Sequence, residues 1–224
     1  MSNASPQTDE TVAQRRAMVE YQLAARGILD AAVLRTMGEL PRERFLPEPM
    51  RDSAYDDRAL PVGRDQTISQ PYIVAYKTEK LDVRPGRRVL EIGTGTGYQT
   101  ALLSMLGAEV YSVERIRELH DAARERLALL GFGAVRLFRG DGSLGWPEYA
   151  PYDRILVTAG APDVPPALIA QLAESGRMVL PVGRRDQQIL LLVEKRPGRT
   201  VETPLISCRF VRLLGDQAWG SDES

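Results

Sequence analysis

Apolar and polar positions change rhythm near residue 87. Before that point, apolar residues recur in short blocks at helical spacing. Residues 11–26 read as a helix closed by Gly27, whose freedom at positive φ suits a helix end. Asp30 then caps a second helix in which Val33, Leu34, Met37 and Leu40 share a face, until Pro41 stops it. The stretch from Pro41 to Gln66, punctuated by Pro47, Pro49, Pro61 and Gly63, reads as loop. Next comes TISQPYIVAYKTEKL, predicted to be a helix with Ser69 as cap and Pro71 at a position that needs no N–H partner.

From Arg87 onward, strand and helix patterns alternate. RRVLEIG, EVYSVE, AVRLFRG, DRILVTAG and RMVLPVG read as strands, and YQTALLSMLG, IRELHDAARERLALLG and PPALIAQLAESG as helices. QQILLLVEK and SCRFVRLL then follow as strands with no helix between them. Alternation implies a parallel sheet covered on both faces, and the late strands an antiparallel addition at its C-terminal edge. The expected fold is a doubly wound, mostly parallel α/β domain of Rossmann-like type with an N-terminal helical extension. In this division residues 1–10 are a disordered lead, 11–81 the extension with an active-site loop, 82–219 the α/β core and 220–224 a tail.

Composition narrows the chemistry. With 29 Lys plus Arg against 30 Asp plus Glu, no global field draws the chain to nucleic acid or an anionic membrane. The polar N-terminus carries no apolar signal segment, and no run is long enough to span a bilayer. A single cysteine, Cys208, cannot form an intrachain disulfide and reads as a buried, inert thiol; a cytoplasmic, monomeric protein is expected. The single histidine, His120, falls on a helix and reads as a solvated position, which weighs against zinc sites and histidine-dependent triads.

The stretch VLEIGTGTGYQ places three alternating glycines between a strand and a helix, where backbone N–H groups can approach a ligand closely. A P-loop would require a lysine followed by Ser or Thr, and none is present. A dinucleotide fingerprint would put its third glycine at Tyr98, whereas Gly97 comes one residue early, so that reading weakens without being excluded. S-adenosylmethionine fits better. Glu91 offers a carboxylate to a cofactor bearing ammonium and sulfonium groups, and Gly93, Gly95 and Gly97 let the backbone come near. Glu114 ends the second strand, where it can accept both ribose hydroxyls, although NAD enzymes use the same acid. Asp141, between Gly140 and Gly142 after the third strand, can accept from an adenine amine; the alternative is a plain Asp-Gly turn. Tyr98 and Trp146 could stack on a ligand but more often such residues pack, and Arg184–Arg185 reads as a solvated turn.

Over residues 15–219 the chain resembles protein-L-isoaspartate O-methyltransferases. The resemblance rests on MVEYQLAARGI, PRERFLP, AYDDRALPVGRDQTISQPYIVA, VLEIGTGTGYQTALL, GDGSLGWPEYAPYDRILVTAGAP and MVLPVG followed by QQILLL. DQTISQPY discriminates most, since many methyltransferases share the glycine loop. The resemblance implies methyl transfer from S-adenosylmethionine to the α-carboxylate of L-isoaspartyl residues in damaged proteins and peptides, leaving S-adenosylhomocysteine. The ester would then collapse to a succinimide that hydrolyses partly to aspartate. It also implies Ser69 as the active-site serine and Ile68, Ser69, Gly93–Gly97, Glu114, Arg115, Asp141 and Gly142 as cofactor contacts. Gln70 and Val211 would face the substrate. Lys77 stands where bacterial members often have methionine, and Arg212 where proline is common. A relative methylating ordinary aspartate in a dedicated peptide, a non-catalytic cofactor-binding protein and a nucleic-acid methyltransferase are the competing readings; short polar tails and balanced charge favour the repair enzyme.

Overall fold

A computed structural model describes residues 9–220; the expected tail apart from Gly220, and the expected lead apart from its last two residues, lie outside that range. The chain begins with α1 (Asp9–Ala17), which runs through a π-helical turn, Met18–Leu23, into a short 3-10 turn ending at Gly27 with φ +88°. α2 (Ala31–Glu39) starts where Asp30 accepts hydrogen bonds from the N–H groups of Ala32 and Val33 at 2.8 and 3.1 Å.

The segment expected as plain loop contains a hairpin. β1 (Leu60–Gly63) pairs antiparallel with β2 (Gln66–Ile68). Its turn is Arg64–Asp65, both at positive φ (55° and 56°), a conformation whose usual Asn-Gly sequence signal is missing here. α3 (Pro71–Leu81) follows with Pro71 in its first turn, as the sequence predicts. Its cap position is Gln70, not Ser69, and no side chain caps it; the Gln70 amide instead donates to Asp57.

The core then runs β3 (Arg88–Ile92), α4 (Tyr98–Met105), β4 (Glu109–Glu114), α5 (Arg117–Leu129), β5 (Arg136–Arg139), β6 (Tyr152–Val157), α6 (Pro166–Gln171), β7 (Leu172–Gly183), β8 (Gln188–Arg196) and β9 (Arg199–Cys208). Strand order is β5-β4-β3-β6-β7-β8-β9, parallel through β7 and antiparallel at β8 and β9. β3 is thus the switch point: the chain first builds outward on one side of it and then crosses to the other. Alternation along β3 decides which face each side chain serves. Val89 joins the core shared with the N-terminal helices, α3 and α4; Leu90 and Ile92 join the core on the opposite face. Each fully buried Leu, Ile or Val contributes about 1.5–3 kcal/mol.

Two elements end elsewhere than the pattern suggests. α6 stops at Gln171, where Leu172 turns extended; Ser175 (φ +61°) and Gly176 fall where the β6–β7 register shifts, and the Lys195 ammonium donates to the carbonyls of Ile169 and Leu172 at the helix end. The last strand is Arg199–Cys208, reached from β8 by a turn at Gly198. Residues 210–214 of the expected strand make only single bridges, Arg212 beside Gly160 and Leu214 beside Trp219. Pro204 is tolerated because β9 is an edge strand.

His120 is buried rather than solvated, with Nδ1 2.9 Å from Asp121 on the same helix. Trp146 packs among Phe138, Tyr111 and Tyr149. Among the described residues, no helix is long and apolar enough to cross a membrane and no acid–histidine–cysteine cluster could hold a metal.

Candidate active site

A cleft of about 900 Å³, measured to its open mouth, lies beyond the carboxyl ends of the parallel strands. Gly93–Thr96 line it after β3, Glu114–Ile116 after β4, Gly142 after β5 and Thr158–Ala159 after β6. This is the crevice that a switch point opens, since the loops on its two sides diverge. Two further walls come from outside the α/β core: Gln66–Ser69 with α3, and residues 211–214.

The glycine loop is held from below. Glu114 Oε2 accepts from the Gly95 N–H at 2.9 Å, and Oε1 from the Ile116 N–H at 2.9 Å. Each carboxylate oxygen keeps a second lone pair for a ligand hydroxyl. Gly93, at φ +92°, sits against Thr158, whose hydroxyl donates to the carbonyls of Ile92 and Gly93 at 2.9 and 2.7 Å; a Cβ at Gly93 would meet that hydroxyl. Gly95 has φ +55° and open space, so its backbone faces the cleft unscreened.

Three residues expected at the ligand lie off the wall. Glu91 follows the strand alternation onto the helix-covered face, where Oε2 accepts from Thr100 at 2.5 Å and Ser112 at 2.7 Å. Burial raises its carboxyl well above the usual range, against the pull of those two hydroxyls and of Lys77. Asp141 points into its own turn, accepting from the N–H and hydroxyl of Ser143 and from the Asp216 N–H. Its neighbour Gly142 lines the cleft instead. Gly97 serves helix packing, because a Cβ there would lie 3.1 Å from Leu127. Ile68, Ser69, Gly93, Gly95, Glu114, Arg115, Gly142 and Val211 do line the cleft together.

Ser69 borders both this cleft and a second one of about 720 Å³. Thr67, Thr158 and Val211 border both, while Gln70, Ile73, Cys208 and Phe210 border the second alone. The fully buried Arg42 fixes this junction: Nη2 donates to the Ser69 carbonyl at 2.8 Å and Nε to the Ala54 carbonyl at 2.7 Å. Its guanidinium also sits 5.0 Å from the Tyr98 ring. Sequence reasoning marked PRERFLP as a motif but gave Arg42 no role, since its reach across 27 residues is a property of the fold. Thr158 and Lys77 were also missed as lining residues.

The family model for protein-L-isoaspartate(D-aspartate) O-methyltransferases matches residues 13–218. The chain belongs to this family. It is 50% identical over 211 residues to the protein-L-isoaspartate O-methyltransferase of Methanoculleus marisnigri, covering 94% of this chain and 96% of the relative. It is also 50% identical over 210 residues to one from Geotalea uraniireducens, covering 92% and 95%. A solved protein-L-isoaspartate O-methyltransferase superposes with TM-score 0.81 at 34% identity, covering 91% of this chain and 67% of that one. The Plasmodium falciparum structure of this family, in complex with S-adenosyl-L-homocysteine, gives TM-score 0.78 at 25% identity, with 89% and 98% covered.

As a member of the family, the chain is an S-adenosylmethionine-dependent methyltransferase that acts on isoaspartyl proteins. Its cleft fits that cofactor. A buried carboxylate with spare lone pairs stands where a ribose diol needs acceptors, and the backbone at Gly93 and Gly95 can come close to a ligand. Ile92, Val113 and Ile116 give the same wall an apolar surface for a purine.

Proposed function

We propose that methyl transfer takes place at Ser69, with the cofactor in the larger cleft and the isoaspartyl segment in the second. The carrying observation is that Ser69 borders both cavities and its hydroxyl makes no hydrogen bond with a described residue. When bound, the cofactor supplies a sulfonium-activated methyl group. Glu114 and Arg115, the Gly93–Gly95 backbone, Ile68 and Gly142 would hold it. Glu91, Gly97 and Asp141 support the same site from behind: Glu91 between Thr100 and Ser112, Gly97 by letting α4 approach Leu127, Asp141 by fixing the turn that carries Gly142.

The substrate carboxylate is ionised at neutral pH, so the chain needs no general base. Its histidine lies on α5 and lines neither cavity. Ser69 donates a hydrogen bond that orients one carboxylate oxygen toward the methyl group. Gln70 and Val211 flank the peptide, and Arg42 holds the serine's backbone still. The sulfonium charge that the cofactor would bring and the substrate's carboxylate charge would offset one another in the transfer. The apolar side chains around the junction favour that dispersal of charge by excluding water. Alignment is the rest of the catalysis.

We propose further that the enzyme is a cytoplasmic monomer that does not engage nucleic acid or membrane. A net charge of −1 and a single cysteine support that reading.

The deciding experiment pairs an L-isoaspartyl peptide with its aspartyl counterpart and follows base-labile methyl esters from labelled S-adenosylmethionine. Methylation confined to the isoaspartyl peptide, reduced in Ser69→Ala while S-adenosylhomocysteine still binds, is the expected result. Unchanged turnover in Ser69→Ala would remove the serine from the mechanism.

A further inference from the structure

Lys77 is 1% exposed, yet it lines the larger cleft. It lies on the same face of α3 as Val74, which also lines the cleft. Its ammonium makes no hydrogen bond and no ion pair with any described residue; its nearest ring, Phe210, is 5.7 Å from Nζ. An ammonium taken from water without a hydrogen-bonding partner is costly. The more distant pulls of Glu91 and then Cys208 are what offset that cost.

Beside it is a vacancy of the opposite kind. The Thr78 hydroxyl donates to the Val74 carbonyl at 2.7 Å, so it must accept from Gln99, whose Nε2 lies 3.1 Å away. That fixes the amide orientation and leaves Gln99 Oε1 buried with no partner, on a residue that also lines the cleft. An unpartnered cation and an unpartnered acceptor, both on residues that line one cavity, match a zwitterion. Of the other cations on the wall, Arg115 is exposed beside Glu114 at the ribose end, and Arg212 is exposed on the last segment. Lys77 does not itself border the second cavity, where the peptide is proposed to lie.

We propose that Lys77 binds the carboxylate of the cofactor's methionine moiety, with the Gln99 carbonyl accepting from the adjacent ammonium. This rests on the cofactor occupying the larger cleft. Glu91, on β3, and Cys208, at the end of β9, are the titratable groups that face Lys77, and Glu91 keeps the resting cation from being uncompensated.

Titration calorimetry with S-adenosylhomocysteine and with its decarboxylated analogue, which keeps the amine, tests the proposal. In Lys77→Met, affinity for S-adenosylhomocysteine should fall roughly 10- to 100-fold, the range for a lost charge-assisted hydrogen bond, while the analogue binds both proteins alike. Equal losses for both ligands, or none, would overturn it, as would a rise in peptide KM with S-adenosylhomocysteine affinity unchanged. The last outcome would assign the lysine to the substrate carboxylate. Native protein that bound neither ligand would instead defeat the cofactor reading itself. Should Lys77→Met not fold, the Lys77 ammonium can be titrated by NMR in the native protein. Its midpoint should rise with S-adenosylhomocysteine and not with the analogue; the same response to both would overturn the assignment.

Discussion

Arg42 and Ser69 are 27 positions apart and joined by a 2.8 Å hydrogen bond from guanidinium to carbonyl. The N-terminal extension therefore reaches the proposed reaction site through this side chain. Burial lowers the Arg42 pKa to about 10, so it is still a cation at neutral pH. Arg42→Lys keeps the charge and loses the planar fork. We expect kcat to fall about 10- to 100-fold, since a displacement of ~1 Å at a positioned group can cost that much. S-adenosylhomocysteine affinity should change far less. Steady-state kinetics beside calorimetry would separate the two, and a matching loss of affinity would place Arg42 with the cofactor instead.

Glu114 carries the glycine loop as well as the proposed ribose contact. Glu114→Gln presents an amide N–H₂ to one of two backbone donors, Gly95 or Ile116, so it should not rescue what Glu114→Ala loses. Both variants should bind S-adenosylhomocysteine roughly 10- to 100-fold more weakly, as expected for charged hydrogen bonds at a buried acceptor. Full affinity in Glu114→Gln would show that the charge is dispensable.

Gly93 and Gly27 share nearly the same backbone angle, φ +92° and +88°, but not the same surroundings. At Gly27 an added methyl meets nothing, so Gly27→Ala should cost only the left-handed backbone penalty, about 1–2 kcal/mol, with binding intact. At Gly93 the methyl meets the Thr158 hydroxyl, so Gly93→Ala should also displace the loop and abolish cofactor binding. Urea denaturation and calorimetry on the pair test this, and a Gly93→Ala protein that bound normally would contradict it.

Cys208 borders the proposed peptide cavity, and burial pushes its thiol from 9.0 up to about 11. Burial disfavours the thiolate, so at pH 8 the native protein should hold roughly 100-fold less of it than the unfolded chain. Alkylation by iodoacetamide should be slower in proportion. Its rate should also keep climbing toward pH 11, where an unfolded thiol levels off near 9. A native rate equal to that in urea would show the thiol to be open.

Much of this was legible before the coordinates, and the failures have physical causes. Strand–helix alternation carried the sheet because its strands are buried on both faces, and the glycine loop was visible because positive φ selects for glycine at three positions. Glu91 misled because an acid beside a glycine loop looks like a ligand contact, whereas the pleat sends it to the helix side and turns Ile92 to the cleft. The hairpin at 60–68 was hidden by a turn built from Arg64 and Asp65, residues that carry no turn signal. Lys77 read as a helix residue and Arg42 as part of a loop, because burial is decided by what the rest of the chain lays over them.

The cleft draws one wall from residues 66–69 and another from 211–214. Residues 211–214 follow every strand of the sheet in the chain, so on the ribosome the cleft's second wall is made only after the sheet's strands. The nascent protein can fold most of its sheet while the pocket still gapes on one side. By this reading activity waits for that second wall, so a product terminated ahead of residue 211 is silent rather than a half-competent modifier of its neighbours.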